Sequence, residues 1–296
     1  MKVMKFGGTS VGSPDRMKNV ASLITESGDP TFVVLSAMSG TTNSLIEISN
    51  YLYKKNPDGA NEVINKLEKK YMQHVEELYS TDEYKEKTRE FLREEFKYMR
   101  SFTKDIFTSF EEKSIVAQGE IMSTNMVLNY LQEQGIKATL LSAFDFMRTD
   151  KNAEPDAQYI KEKLTAIMTE NEGYQIYITQ GFICLNAYGE IDNLQRGGSD
   201  FTASLIGVAL GAEEIQIWTD IDGMHNNDPR IVDETEAIRQ LNFEEAAELA
   251  YFGAKILHPT CVQPAKYAGI PVRLKNTMAP KADGTIINNT LTRGKI

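Results

Sequence analysis

The chain has 296 residues, 41% of them hydrophobic and 25% charged, enough to bury a large core in one big α/β domain or two smaller ones. Forty-two acidic against 32 basic residues leave a net charge of −10, which disfavours nucleic acid or an anionic membrane as main partner, since phosphate surfaces bind a surplus of Lys and Arg. No leader-like apolar stretch opens the chain and no run approaches the roughly 18 apolar residues of a membrane span, so a cytoplasmic protein is expected.

The first predicted strand, 3–6, carries Lys5 at its end and runs into FGGTSVGS ahead of a predicted helix at 16–25. Gly8 to Gly12 match G-x-S-x-G, the nucleophile elbow of the α/β-hydrolases. That elbow normally follows the strands that supply an oxyanion loop, whereas here only a few residues precede it, and a base would have to come from His74, His225 or His258. A phosphate cradle fits better: Gly7 and Gly8 let backbone N–H groups approach an anion, a helix N-terminus follows, and Lys5 adds a full positive charge. It is not a Walker A loop, because G-x-x-x-x-G-K-[ST] occurs nowhere, and no G-x-G-x-x-G follows a strand.

The second strand, 32–36, leads into SAMSGTTNS at 36–44 and a helix at 44–53; the hydroxyls and Asn43 suit either ligand contacts or ordinary helix capping. From 61 to 113 the pattern becomes charged and aromatic, with Phe91, Leu92, Phe96 and Met99 at helical spacing. This reads as an amphipathic helical insertion with a solvated face; interleaved acids count against a nucleic-acid helix. A helix at 121–134, a strand at 139–142, a helix at 156–168 and a strand at 175–179 follow. LQRGGSDFTASL, 194–205, then places Arg196, two glycines, Ser199 and Asp200 ahead of a helix at 201–210, with a capped turn as the plain alternative. The strand at 214–219 ends in Thr219 and Asp220 and turns through Asp222-Gly223 and Asp228-Pro229-Arg230; a last strand is expected at 272–275. Cys184 and Cys261 lack a second Cys or His at ligand spacing, so both are expected as buried thiols. The βα alternation implies a mostly parallel sheet with helices on both faces and ligands beyond the carboxyl ends of the strands.

Together KFGGTSVGS, SAMSGTTNS, QGE (118–120), RGGSD, WTDIDGMHNNDPR and FGAKILHP (252–259) resemble, in that order, the motifs of the aspartokinases of the amino acid kinase family, over residues 2 to about 287. The resemblance implies an α/β fold, a three-layer αβα sandwich with a mostly parallel central sheet. It implies a single domain over 1–296, with a substrate-binding lobe over about 1–200 and a nucleotide-binding lobe over about 201–296. The implied reaction moves the γ-phosphoryl of MgATP to the side-chain carboxylate of L-aspartate, giving 4-phospho-aspartate, the first step toward lysine, threonine and methionine. A carboxylate with a reference pKa near 3.9 is already ionised at neutral pH, so no general base is needed.

By the same resemblance Lys5 and the Gly7 and Gly8 backbone serve the transferring phosphoryl group, and Asp200 orients Lys5. Arg196 would hold the substrate α-carboxylate and Glu120 its ammonium, Thr42 and Ser199 would hydrogen-bond aspartate beside Gly198, and Phe182 would wall the pocket. Lys5, Gly7, Gly8, Ser10, Thr219, Asp220, Arg230 and Lys255 would surround the nucleotide. His225, where many members have tyrosine, could stack on the base, while His258 reads as structural. Mg²⁺ would be bound mainly through the ATP phosphates, with no protein metal site. Glu120 disfavours acylated or purely anionic acceptors such as acetylglutamate, and Lys5, Arg196 and Asp200 argue against a dead nucleotide-binding module. Aspartokinases usually continue into paired ACT domains that often form the dimer; this sequence stops after GTIINNTLTRGKI, as an excised or a naturally short form would. A homodimer, weakened without those domains, and no feedback inhibition by lysine or threonine are the corresponding expectations.

Overall fold

The computed structural model describes residues 1–290 apart from 105, 195–196, 228–231, 233 and 253–256. Its strands are β1 (Lys2–Phe6), β2 (Thr31–Leu35), β3 (Ala138–Leu140), β4 (Ile176–Gln180), β5 (Ile183–Leu185), β6 (Ile191–Asn193), β7 (Glu214–Thr219), β8 (Gln240–Asn242), β9 (Val272–Asn276) and β10 (Thr285–Asn288). Eight form one sheet in the order β3-β4-β2-β1-β7-β9-β10-β8, in which every pairing is parallel except β9 with β10; β5 and β6 form a separate antiparallel hairpin.

Strand alternation divides the core between the two faces of this sheet. Val3, Phe32, Val34, Ile215 and Ile217 face one core, while Met4, Phe6, Val33, Leu35 and Trp218 face the other. The second face is covered by α1 (Pro14–Thr25), α2 (Thr41–Tyr53), α3 (Pro57–Leu78), α4 (Asp82–Ser101), α5 (Ser109–Val116) and α6 (Gln118–Glu133), which contribute buried residues such as Met17, Leu45, Ile64, Leu92, Ile115 and Met122. The first is covered by α7 (Ala143–Phe146), α8 (Ala157–Glu170), α9 (Gly198–Leu210), α10 (Phe243–Phe252) and α11 (Gln263–Ala268), through Phe146, Leu164, Ile206, Ala246 and Ala265. Each fully buried Leu, Val or Phe contributes about 1.5–3 kcal/mol over its exposed state, so the two cores carry most of the stabilisation. The three-layer αβα sandwich expected from the sequence is thus the fold. Across β1 and β7, Phe6 stacks on Trp218 with ring centroids 5.7 Å apart.

The insertion expected over 61–113 is a helical hairpin, α3 and α4, followed by α5. Tyr71, Phe96 and Met99 are fully buried in it and Arg89 pairs with Glu76 across the hairpin. Strands β5, β6, β8 and β10, only three or four residues each, are too short to leave a readable period. Cys184 and Cys261 are buried thiols, and burial pushes both up to about 12.

Register positions the site. Phe6 is level with Leu35 and Trp218, Leu35 with Gln180, and Thr219 with Asn276. The loops after β1, β2, β4, β7 and β9 therefore all leave the same edge of the sheet.

Candidate active site

Lys5 occupies the penultimate position of β1, and its Nζ lies 2.7 Å from Asp200 Oδ1, with both side chains largely buried. Asp200 stands in the first turn of α9, where the helix dipole favours a negative charge. Removing Lys5 would leave that carboxylate uncompensated. The turn before α9 demands glycine: Gly197 is left-handed at φ 72°, and a Cβ added there would fall 1.6 Å from Cys261 Sγ. Cys261 is thus the floor beneath the turn that delivers Asp200.

The first two loops are strapped together. Ser36 N–H donates to Phe6 O at 3.2 Å and Ser39 N–H to Gly8 O at 3.1 Å. A Cβ on Gly8 would sit 2.8 Å from the Ala37 carbonyl oxygen, closer than any side chain tolerates. Between these loops and the α9 N-terminus lies an open cleft of about 420 Å³, large enough for a small metabolite, lined by Gly8, Thr42, Glu120, Phe182, Gly198 and Ser199 among others. Five sequence-predicted substrate residues, Thr42, Glu120, Phe182, Gly198 and Ser199, thus converge on one cavity from α2, α6, the β4–β5 turn and α9.

Glu120 is 5% exposed. Its Oε1 accepts from Ala37 N–H at 3.2 Å, while Oε2 is buried with no hydrogen-bond partner among the described residues. Burial pushes its pKa up to about 7, against the smaller opposing pull of the Ala37 N–H. A buried carboxylate oxygen with spare acceptor capacity, on the wall of a polar cleft, offers a docking point for a cationic donor. Phe182 adopts φ 69°, uncommon outside glycine, and its N–H donates to Thr202 Oγ1 at 2.9 Å.

Sequence reading missed two serines. Ser36 Oγ donates to Ser199 Oγ at 2.9 Å, and Ser123 Oγ donates to Ser36 O at 2.7 Å, tying α6, β2 and α9 around the cleft. Ser36 opens the SAMSGTTNS loop, so its signal was present; Ser123 sits inside a helix, where nothing marks it.

The nucleotide-side residues divide into three groups. Thr219 and Asp220 close β7 at the same sheet edge; Thr219 Oγ1 accepts from Ile221 N–H at 2.9 Å, and Asp220 is exposed. Ser10, 3% exposed, is 2.7 Å by its Oγ from Thr277 Oγ1, which itself donates to Thr219 O at 3.0 Å. Because Thr277 has one hydroxyl proton and spends it on Thr219, Ser10 must be the donor of the first bond. The Ser10 proton is therefore already committed. His225 Nδ1 lies 2.9 Å from Thr235 Oγ1, and its backbone bridges Ala237. Arg196, Arg230 and Lys255 lie outside the described residues.

The hydrolase elbow has no triad here, since Ser10 meets Thr277 and His258 Nδ1 meets Thr260 Oγ1 at 2.7 Å. His74, on α3, keeps its Nδ1 buried without a partner among the described residues. Among those residues no group of three or more His, Cys, Asp or Glu could hold a metal, and no helix is long and apolar enough to cross a membrane.

A model of the amino acid kinase family matches residues 1–276. Aspartokinase 1, chloroplastic, of Arabidopsis thaliana is 37% identical to this chain over 97% of its length and 52% of the relative's. Lysine-sensitive aspartokinase 3 of Escherichia coli is 35% identical, over 97% of this chain and 64% of the relative. The crystal structure of E. coli aspartokinase III in complex with aspartate and ADP (R-state) superposes with a TM-score of 0.87 at 33% identity, covering 99% of this chain and 65% of that one. The chain thus spans between half and two thirds of the length of these two relatives.

Proposed function

Because the chain belongs to the amino acid kinase family, we propose that it is an aspartate kinase, moving the γ-phosphoryl of ATP to the β-carboxylate of L-aspartate. The observation that carries this reading is Glu120 Oε2, without a partner among the described residues, in the cleft that the Lys5–Asp200 pair borders through α9. An acceptor bearing a free ammonium satisfies that oxygen, whereas an acylated amine does not. Thr42 and Ser199 supply hydroxyls to the same acceptor, Phe182 walls it, and Arg196 is the proposed bidentate partner of its α-carboxylate.

In the proposed reaction an acceptor carboxylate oxygen forms a bond to the γ-phosphorus as the bond from that phosphorus to the bridging oxygen breaks, and ADP leaves with the electron pair. No proton moves. The barrier is the approach of an anion to a polyanion, so positive charge and aligned N–H donors are what the protein must supply. Lys5, held by Asp200, is the charge aimed at the transferring group, and the Gly7–Gly8 backbone lets the phosphates come close. Mg²⁺ arriving with ATP would offset phosphate charge. Thr219, Asp220, His225, Arg230 and Lys255 form the proposed nucleotide surround, in a lobe made by the chain after about 201.

The test is hydroxylamine trapping of an acyl phosphate with MgATP and L-aspartate, beside glutamate, N-acetylglutamate and no acceptor. Aspartate-dependent hydroxamate is expected; hydroxamate with N-acetylglutamate instead overturns the acceptor. Lys5→Ala is expected to lower kcat by about 10³-fold or more with the circular dichroism spectrum unchanged, and near wild-type turnover would remove Lys5 from the mechanism.

A further inference from the structure

The helical hairpin is more than an appendage on the sheet. Its helix α3 crosses behind the segment that runs into α2 and carries Thr42, and two adjacent residues grip that segment at points two residues apart. Lys70 Nζ donates to Ser39 O at 3.3 Å, and Tyr71 Oη lies 3.0 Å from Thr41 Oγ1. Tyr71 and Thr41 are both fully buried. The Tyr71 ring is locked edge-to-face against Phe96 of α4, centroids 5.8 Å apart. A phenol hydroxyl in such a place must have a partner, and among the described residues Thr41 supplies it.

Thr41 is wedged from the other side too. A Cβ built on Gly119, the residue before Glu120, would stand 3.6 Å from Thr41 Cγ2 and 2.7 Å from Ala37 Cβ, so the loop lies hard against the start of α6. Helix α2 begins at Thr41 after a left-handed Gly40, φ 81°, which gives no side-chain cap. The usual device for fixing a helix start is therefore missing, and a contact from α3 stands in its place. Burial holds the Tyr71 phenol above its ordinary range, so it stays protonated and able to donate, and Glu120 is near enough to reinforce that shift.

We propose that Tyr71 is a positioning residue for the acceptor: acting through Thr41, it fixes Thr42 and the 37–42 backbone opposite Glu120, making the hairpin part of the acceptor site. The inference rests on the acceptor reading above, and it predicts which kinetic constant responds. Tyr71 touches neither end of the Lys5–Asp200 pair, so its loss should spare the nucleotide and the transfer step.

The experiment compares Tyr71→Phe, Thr41→Val, their double variant and Thr41→Ser in steady-state kinetics and in amide hydrogen exchange. Tyr71→Phe keeps the ring, and Thr41→Val keeps the volume. Each is expected to raise the KM for aspartate roughly threefold to tenfold, with the KM for ATP and kcat within about twofold of wild type, the size of one buried hydrogen bond. The double variant should be no worse than either single one, and Thr41→Ser should restore the wild-type KM. An unchanged aspartate KM, additive effects, or parallel losses in both KM values overturn the proposal. If the wild type shows no aspartate-dependent turnover, the acceptor reading fails, and hydrogen exchange alone decides the positioning role. Faster exchange at 38–44 in Tyr71→Phe, with β1 and α9 unchanged, supports it; identical exchange overturns it.

Discussion

Glu120 is where stability and binding pull against each other. Its pKa in the fold, about 7, lies above the 4.5 of an unperturbed glutamate, so the native state holds the proton more tightly than the unfolded chain. The stabilisation that Glu120 itself contributes is therefore fully present below pH 4.5 and is lost as pH rises from 4.5 to 7, about 3 kcal/mol in all. Glu120→Gln should remove that slope and unfold at higher denaturant concentration at pH 8, while its KM for aspartate rises steeply; a denaturation series across pH checks the first and kinetics the second. In the wild type, the aspartate KM should fall as pH rises through about 7, because only the ionised carboxylate pairs with the ammonium. Ser10 makes an opposite case. With its proton given to Thr277, Ser10→Ala and Thr277→Val should each cost about 1 kcal/mol of stability and leave the KM for ATP alike. A rise in ATP KM for Ser10→Ala alone would show that Ser10 turns to the nucleotide.

At the scale of the element, α9 depends on a contact that no local pattern reveals. RGGSD announces a turn and a helix start, but not that Cys261, more than sixty residues later, lies under the turn and leaves no room for a Cβ on Gly197. Gly197→Ala is expected to destabilise the protein by more than a plain left-handed alanine would, about 1–2 kcal/mol, and Gly197→Ala with Cys261→Ala should recover part of the loss. Thermal unfolding of the three variants measures it; equal losses in the single and double variants would assign the cost to backbone strain alone. The sequence was readable here to the extent that a motif is local. Lys5, Thr42, Glu120 and Ser199 could be singled out because each lies in a quoted motif, and Phe182 through the resemblance, whereas Ser36, Ser123, Tyr71 and Thr277 act through partners far along the chain, and spacing carries no trace of that. The helical period of 61–113 was visible, but not that α3 would lean on the acceptor loop.

For the molecule as a whole, the alternation of strands and helices carried the layer order, because burial on both faces of a parallel sheet leaves long apolar runs such as TFVVL and IYITQ. The antiparallel β10 and the edge strand β8 escaped, being short and at the sheet margin. The strand order itself hides a further property. β1 is an interior strand, yet its two neighbours are β2, which follows closely, and β7, whose Glu214 pairs with Lys2. During synthesis β1 must wait, one edge open, until β7 has emerged. Such distant pairing is slow and leaves the open edge prone to sticking. The single tryptophan, Trp218, stacks on Phe6 across that seam, so its fluorescence times the closure. In refolding from denaturant, the proposed kinase activity should return with the tryptophan signal and lag behind the helical circular dichroism. Activity that precedes the tryptophan phase would mean the seam is not what completes the site. The position of one strand thus makes the proposed active site a late product of folding, complete only when β1 meets β7.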